Sequence, residues 1–176
     1  YNSRYISKMR LFATISLILL TLYSKSSTSE FVTAYPNNQF YHKIISQSKK
    51  IIEEGWKVGN VKHGWWKYYS SNGILIKEGA FFEDKKSGFW IIYNSNGSKQ
   101  SEGYYYDGLK SGYWTYYDSD KTILSKGEYA NNLKDGYWKN YNGDILISEG
   151  WMIKNKQALH WKYYNEKGIF THSINH

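Results

Sequence analysis

The chain has 176 residues and a formal net charge of +8, with 15 glycines, one proline and no cysteine, and 19% of it is aromatic. The absence of thiols from this sequence excludes a disulfide framework, a thiolate metal site and a cysteine nucleophile. Aliphatic residues are too few for a thick core, so burial has to come from Trp and Tyr, which tolerate partial exposure and suit a thin sheet.

Taken in order, residues 1–29 read as an N-terminal extension followed by an export signal. Met9-Arg10 is a short positive segment, residues 11–22 are mostly apolar, and Ser24 to Ser29 supplies small residues where a signal peptidase cuts. A 12-residue apolar run falls short of the roughly 20 residues needed to cross about 30 Å of hydrocarbon. The expected location is therefore secreted, periplasmic or cell-surface, with an uncleaved membrane anchor as the alternative. Residues 30–39, which contain Pro36-Asn37-Asn38, read as a linker.

From residue 40 the sequence repeats. Glycines at Gly55, Gly79, Gly103, Gly127 and Gly150 are spaced by 24, 24, 24 and 23 residues. Eleven positions after each stands a tryptophan (Trp66, Trp90, Trp114, Trp138, Trp161), and three further on a tyrosine (Tyr69, Tyr93, Tyr117, Tyr141, Tyr164). A second glycine precedes the tryptophan by two residues at Gly64, Gly88, Gly112 and Gly136, and Leu159 replaces it in the last copy. Such a period signals an array of stacked units that cannot bury an apolar face alone. The repeat domain spans 40–176, with a degenerate half-repeat at 40–53 capping units at 54–77, 78–101, 102–125, 126–148 and 149–172.

Within each unit, two stretches rich in β-branched and aromatic residues are separated by Asn/Asp/Gly turns, the pattern of a hairpin. Chained hairpins predict an all-β, elongated antiparallel meander of one layer. Side-chain alternation puts Gly64, Trp66 and Tyr68 on one face, and Trp65, Lys67 and Tyr69 on the other. Each indole is expected to cover the space left by a glycine on a neighbouring strand, which makes the Trp and Gly columns structural.

The run Glu102-Gly103-Tyr104-Tyr105-Tyr106-Asp107-Gly108-Leu109-Lys110-Ser111-Gly112-Tyr113-Trp114-Thr115-Tyr116-Tyr117 resembles a MORN-type repeat of the bacterial MORN-variant kind, and the resemblance covers about residues 50 to 172. It implies a scaffold or interaction module. Some bacterial relatives of that type carry an antitoxin-component label, and some eukaryotic ones are credited with membrane-lipid contact. Lys126, Gln157 and Leu159 depart from the pattern, and the last two bring the regularity of the final hairpin into question.

No catalytic, cofactor-binding or metal-ligating constellation emerges. His42, His63, His160, His172 and His176 are scattered, and the adjacent Glu53 and Glu54 point to opposite faces of a strand, so they cannot act as an acid/base pair. An interaction role has two candidate surfaces. One is the tyrosine face of Tyr69, Tyr93, Tyr117, Tyr141 and Tyr164, suited to a protein partner or to self-association. The other is a turn ladder of Lys62, Lys86, Lys110 and Lys134, spaced about 10 Å apart, which either contacts anionic lipid or cell-wall polymer or is simply solvated. A glycan-binding wall module is a further alternative, weakened by the uneven column Trp56, Ala80, Tyr104, Glu128 and Trp151. Residues 30–176 hold 19 lysines, no arginine and 15 acidic side chains. Without the bidentate arginine fork, a nucleic-acid partner is not expected.

Overall fold

A computed structural model describes residues 28–176, and these contain fourteen β-strands and no helix. The strands are β1 (Thr28–Tyr35), β2 (Gln39–Ser46), β3 (Ile51–Val58), β4 (Val61–Tyr69), β5 (Leu75–Phe82), β6 (Lys85–Tyr93) and β7 (Lys99–Tyr106). They continue as β8 (Leu109–Tyr117), β9 (Ile123–Ala130), β10 (Leu133–Lys134), β11 (Gly136–Asn142), β12 (Ile145–Ile153), β13 (Lys156–Tyr164) and β14 (Phe170–Asn175). All belong to one antiparallel sheet that follows chain order, with β11 beside β9 and the short β10 pairing with β9. The sheet is an open meander, ending on β1 and β14. The expected export signal, apart from Thr28 and Ser29, lies outside the described residues.

Residues 30–39 are not a linker. Most of them belong to β1, which pairs with β2 from Thr28↔Ser46 to Tyr35↔Gln39. Phe31, Val32, Thr33 and Tyr35 are strand formers, and Pro36 serves only to open the turn. Asn37 and Asn38 then take positive φ of 63° and 57° to reverse the chain. In β2, His42 stands opposite Gly55, where later copies carry tryptophan. Its Nδ1 lies 2.6 Å from the Glu30 carboxylate.

Two kinds of turn alternate along the ribbon. At one edge, pairs such as Glu83-Asp84 (φ 49° and 63°), Asp107-Gly108 (49° and 83°) and Asn131-Asn132 (50° and 69°) form tight turns, whose twist matches that of the flanking strands. These turns also latch onto the preceding repeat. The Asp84 amide donates to the Lys62 carbonyl and the Lys62 amide to Asp84 Oδ1, and Asn132 and Lys110 make the same exchange. At the other edge the turns are longer, closed by bonds such as Gly73 N–H to the Ser70 carbonyl at 2.8 Å.

The two glycine columns do different work. Gly55, Gly79, Gly103, Gly127 and Gly150 lie beneath the indoles, and a Cβ on any of them would meet a ring atom at 2.3–2.5 Å. Gly64, Gly88 and Gly112 instead have φ of 68–71° and sit in a bulge, where the register shifts at Gly55/Trp56, Gly79/Ala80 and Gly103/Tyr104. The carbonyl at each shift accepts the indole N–H: Trp66 to Trp56, Trp90 to Ala80, Trp114 to Tyr104, Trp138 to Glu128 and Trp161 to Trp151, all at 2.7–3.0 Å. The final hairpin keeps this arrangement despite Leu159, which adopts φ 57° in the glycine's place.

The five indoles are at most 2% exposed. At about 200 Å² per ring and 25 cal/mol/Å², each contributes about 5 kcal/mol of transfer free energy, making this column the principal stabiliser. Rings from neighbouring strands close over them edge-on, as Tyr105 does against Trp114 at 5.2 Å and 85°.

Candidate functional site

The face carrying the indoles, the indole face, also holds the lysine ladder. Lys62, Lys86, Lys110 and Lys134 belong to strands rather than turns, because two-residue turns leave them inside the ladder. Each ammonium lies over the indole four residues on: Lys62 over Trp66 at 4.1 Å, Lys86 over Trp90 at 4.6 Å, Lys110 over Trp114 at 4.2 Å and Lys134 over Trp138 at 3.9 Å. Lys62 Nζ also pairs with Glu53 at 3.3 Å and reaches Tyr68 Oη at 3.0 Å. Burial depresses the pKa of Lys86, Lys110 and Lys134, and neighbouring lysines add to the effect for the first two. The ladder is thus built into the packing of the array by cation–π contacts. In the fifth copy Gln157 takes the lysine's position, and Tyr163 Oη donates to its Oε1 at 3.4 Å.

The opposite face, the open face, holds the tyrosine column together with a glutamate column. Tyr69 donates to Glu54 at 2.8 Å, Tyr93 to Glu78 at 2.7 Å and Tyr164 to Glu149 at 2.7 Å, and Tyr117 donates to Glu102. Lysines join these pairs, with Lys43–Glu54 at 3.4 Å, Lys99–Glu102 at 2.7 Å and Lys139–Glu149 at 3.2 Å. Desolvation alone would push Glu54, Glu102 and Glu149 upward, but the tyrosine and lysine contacts outweigh it and their net pKa shift is downward. In the fourth copy Lys126 replaces the glutamate, and its ammonium faces the Tyr141 ring at 5.4 Å. The five tyrosines nominated as a partner surface are half-buried, and four of their hydroxyls are engaged within the protein.

What the open face exposes is a different set of rings. Trp65 is 42% exposed, Tyr104 52%, Tyr113 47% and Trp151 46%. They form a band with the half-buried Phe89 and Tyr137, since the register sets Phe89 against Tyr104 and Tyr137 against Trp151. These pairs meet edge-on, at 5.2 Å and 63° and at 5.8 Å and 79°. The sequence signal for the band was the column whose identity drifts, Trp56, Ala80, Tyr104, Glu128 and Trp151. Trp56 is held between Tyr35 and Tyr41, but Tyr104 and Trp151 meet only rings of the open face, so the drift in identity follows the exposed side of the sheet.

The single 23-residue spacing also has a structural correlate. It shortens the turn after Tyr141 to Gly143-Asp144, and a cleft of about 620 Å³ lies between this turn and the next, lined by Ile145, Ile147, Tyr164 and Ile169. Among the described residues, no group of three or more His, Cys, Asp or Glu side chains is placed to hold a metal ion.

No family model matches the chain, and no curated protein matches it. Among solved structures, accessory secretory protein 1, 2 and 3 of Streptococcus pneumoniae is similar at 12% identity, over 77% of this chain and 24% of that one, with a TM-score of 0.22. A likeness that slight carries no argument about fold or function.

Proposed function

We propose that this chain is a non-catalytic, MORN-type repeat scaffold that binds a protein partner through its open face, in the cell envelope or outside the cell. One observation carries the reading, the aromatic band. Its exposed rings, Trp65, Tyr104, Tyr113 and Trp151, are 42–52% exposed, which at about 200 Å² per ring offers about 400 Å² of apolar area. Contiguous apolar patches of that size are often functional, which supports an interaction site, and this one supplies about half of the roughly 800 Å² that one partner contributes to a stable protein interface. The edge-on ring geometry supports a protein partner over a glycan, because sugars stack on flat, coplanar platforms. The indole face, whose lysines are held over rings, supports contact with an anionic surface less well. The extracellular part of the proposal rests on the apolar run at residues 11–22 and the Ser/Thr tract after it.

Site-specific photocrosslinking in producing cells tests this. A benzophenone-bearing phenylalanine replaces Tyr104 or Tyr113 on the open face, or Lys57, which pairs with Lys62 on the indole face. Position-dependent adducts from 104 and 113 with none from 57 are expected. Adducts of equal yield from all three positions, or none from any, overturn the proposal.

A further inference from the structure

We propose that the fourth repeat carries the specificity position of the open face, a seat for an arginine side chain of the partner formed by Glu128 between Tyr113, Tyr137 and Trp151. The inference rests on the reading of the open face as the docking surface, and it names the chemistry that surface selects.

The glutamates of the regular column, Glu54, Glu78, Glu102 and Glu149, each accept a hydrogen bond from a tyrosine of the same face. Glu128 belongs to a different column, one residue beyond the indole-covered glycine, where other copies place Trp56, Ala80, Tyr104 and Trp151. It is exposed, and its carboxylate has no hydrogen bond or ion pair among the described residues. A charge therefore stands unpaired inside an otherwise aromatic band.

Its surroundings are defined. Tyr113 is its direct cross-strand neighbour on β8, where paired Cβ atoms lie about 5 Å apart. On the other side the carboxylate lies against Gly136, close enough that a Cβ there would meet Oε2 at 3.2 Å. The next residue, Tyr137, meets the Trp151 ring at 5.8 Å. The Asp135 amide donates to the Glu128 carbonyl, which sets a second acidic residue across from the first.

Rings flanking a carboxylate match a guanidinium better than an ammonium. Arginine's planar group stacks on an aromatic face while its fork grips both carboxylate oxygens, whereas lysine offers a strongly hydrated point charge.

The test is an NMR titration of the whole chain with N-acetyl-arginine amide, N-acetyl-lysine amide and the neutral isostere N-acetyl-citrulline amide, reading the Trp151 indole N–H. Saturable shifts are expected with the arginine amide, weaker ones with the lysine amide and none with the citrulline amide. Glu128→Gln is expected to weaken arginine binding about tenfold, the equivalent of about 1.4 kcal/mol. Glu166→Gln, on a distant turn, leaves it unchanged. Equal binding of arginine amide by the Glu128→Gln variant, or equal binding of citrulline amide by the unaltered chain, overturns the proposal. If crosslinks from position 104 persist in a chain that binds no arginine amide, the scaffold reading stands and this inference falls. If arginine amide binds but position 104 captures nothing, the reverse holds.

Discussion

Trp114 lies flat on Gly103 of the neighbouring strand, so close that a Cβ on the glycine would stand 2.4 Å from the indole Cδ2. The clash falls on the root of a ring held in place by its N–H bond to the Tyr104 carbonyl, so it cannot be relieved by swinging a flexible tip. Gly103→Ala is expected to cost about 3 kcal/mol, lowering Tm by roughly 5–10 °C. Gly97→Ala, where nothing lies within 4 Å, bears only the cost of its φ of 82°, about 1 kcal/mol. Thermal melts of the two variants check the ranking, and equal losses would contradict the packing account.

The glutamate column makes its tyrosines unequal. Tyr93→Phe removes a 2.7 Å hydrogen bond to Glu78 and is expected to cost about 1 kcal/mol. Tyr141 faces Lys126 through its ring, a contact phenylalanine preserves, so Tyr141→Phe should remain within about 0.5 kcal/mol of the unaltered chain. Urea midpoints at neutral pH separate the two, and a larger loss at Tyr141 would refute the assignment.

Leu159 occupies a left-handed backbone position (φ 57°) with a side chain 56% exposed. Replacing it by glycine releases about 1–2 kcal/mol of backbone strain and loses about 0.4–1 kcal/mol to the greater freedom of the unfolded chain. Leu159→Gly is therefore expected to stabilise by up to about 1.5 kcal/mol, read from the chemical-denaturation midpoint. A destabilised variant would mean that the leucine packs usefully after all.

High pH should unfold the sheet. Burial, followed by the hydrogen bond to Glu78, pushes Tyr93 up to about 12; Tyr117 is pushed up to about 12 in the same way by burial and Glu102. Tyr68 and Tyr116 are raised further, mainly by burial. A group with a raised folded pKa keeps its proton while the unfolded chain, titrating near 10, releases it. Its stabilisation is complete below pH 10 and disappears as pH climbs to about 12. Lys86, Lys110 and Lys134 act with the opposite sign: their depressed folded values make stability rise slightly as pH approaches 10.5. Melts from pH 8 to 12, followed with tyrosinate absorbance, should show a flat or rising limb and then a fall. A decline starting below pH 9, or none by pH 12, would exclude this origin.

The period, the hairpins and the union of indole with glycine were all legible, because each depends on residue types that recur in register. Three features were hidden for identifiable reasons. Pro36-Asn37-Asn38 looks like the end of a linker, yet asparagines that accept positive φ turn the chain within a sheet just as readily. The lysines of the ladder look like turn residues until the turns prove to be only two residues long. The open-face band was hard to find because recurrence reports what packing fixes, and exposed positions such as Tyr104, Glu128 and Trp151 are those whose identity the indole packing does not dictate.

The turn latches have a mechanical implication. Because Asp84 and Asn132 fasten to the hairpin before them, and contacts run mainly between adjacent strands, no distant segment among the described residues shares the load when an end of the ribbon is pulled. The ribbon should peel one hairpin at a time, at nearly constant force, and re-form in the reverse order. A protein held in an envelope by such a ribbon would have a tether that lengthens stepwise under tension and then recovers.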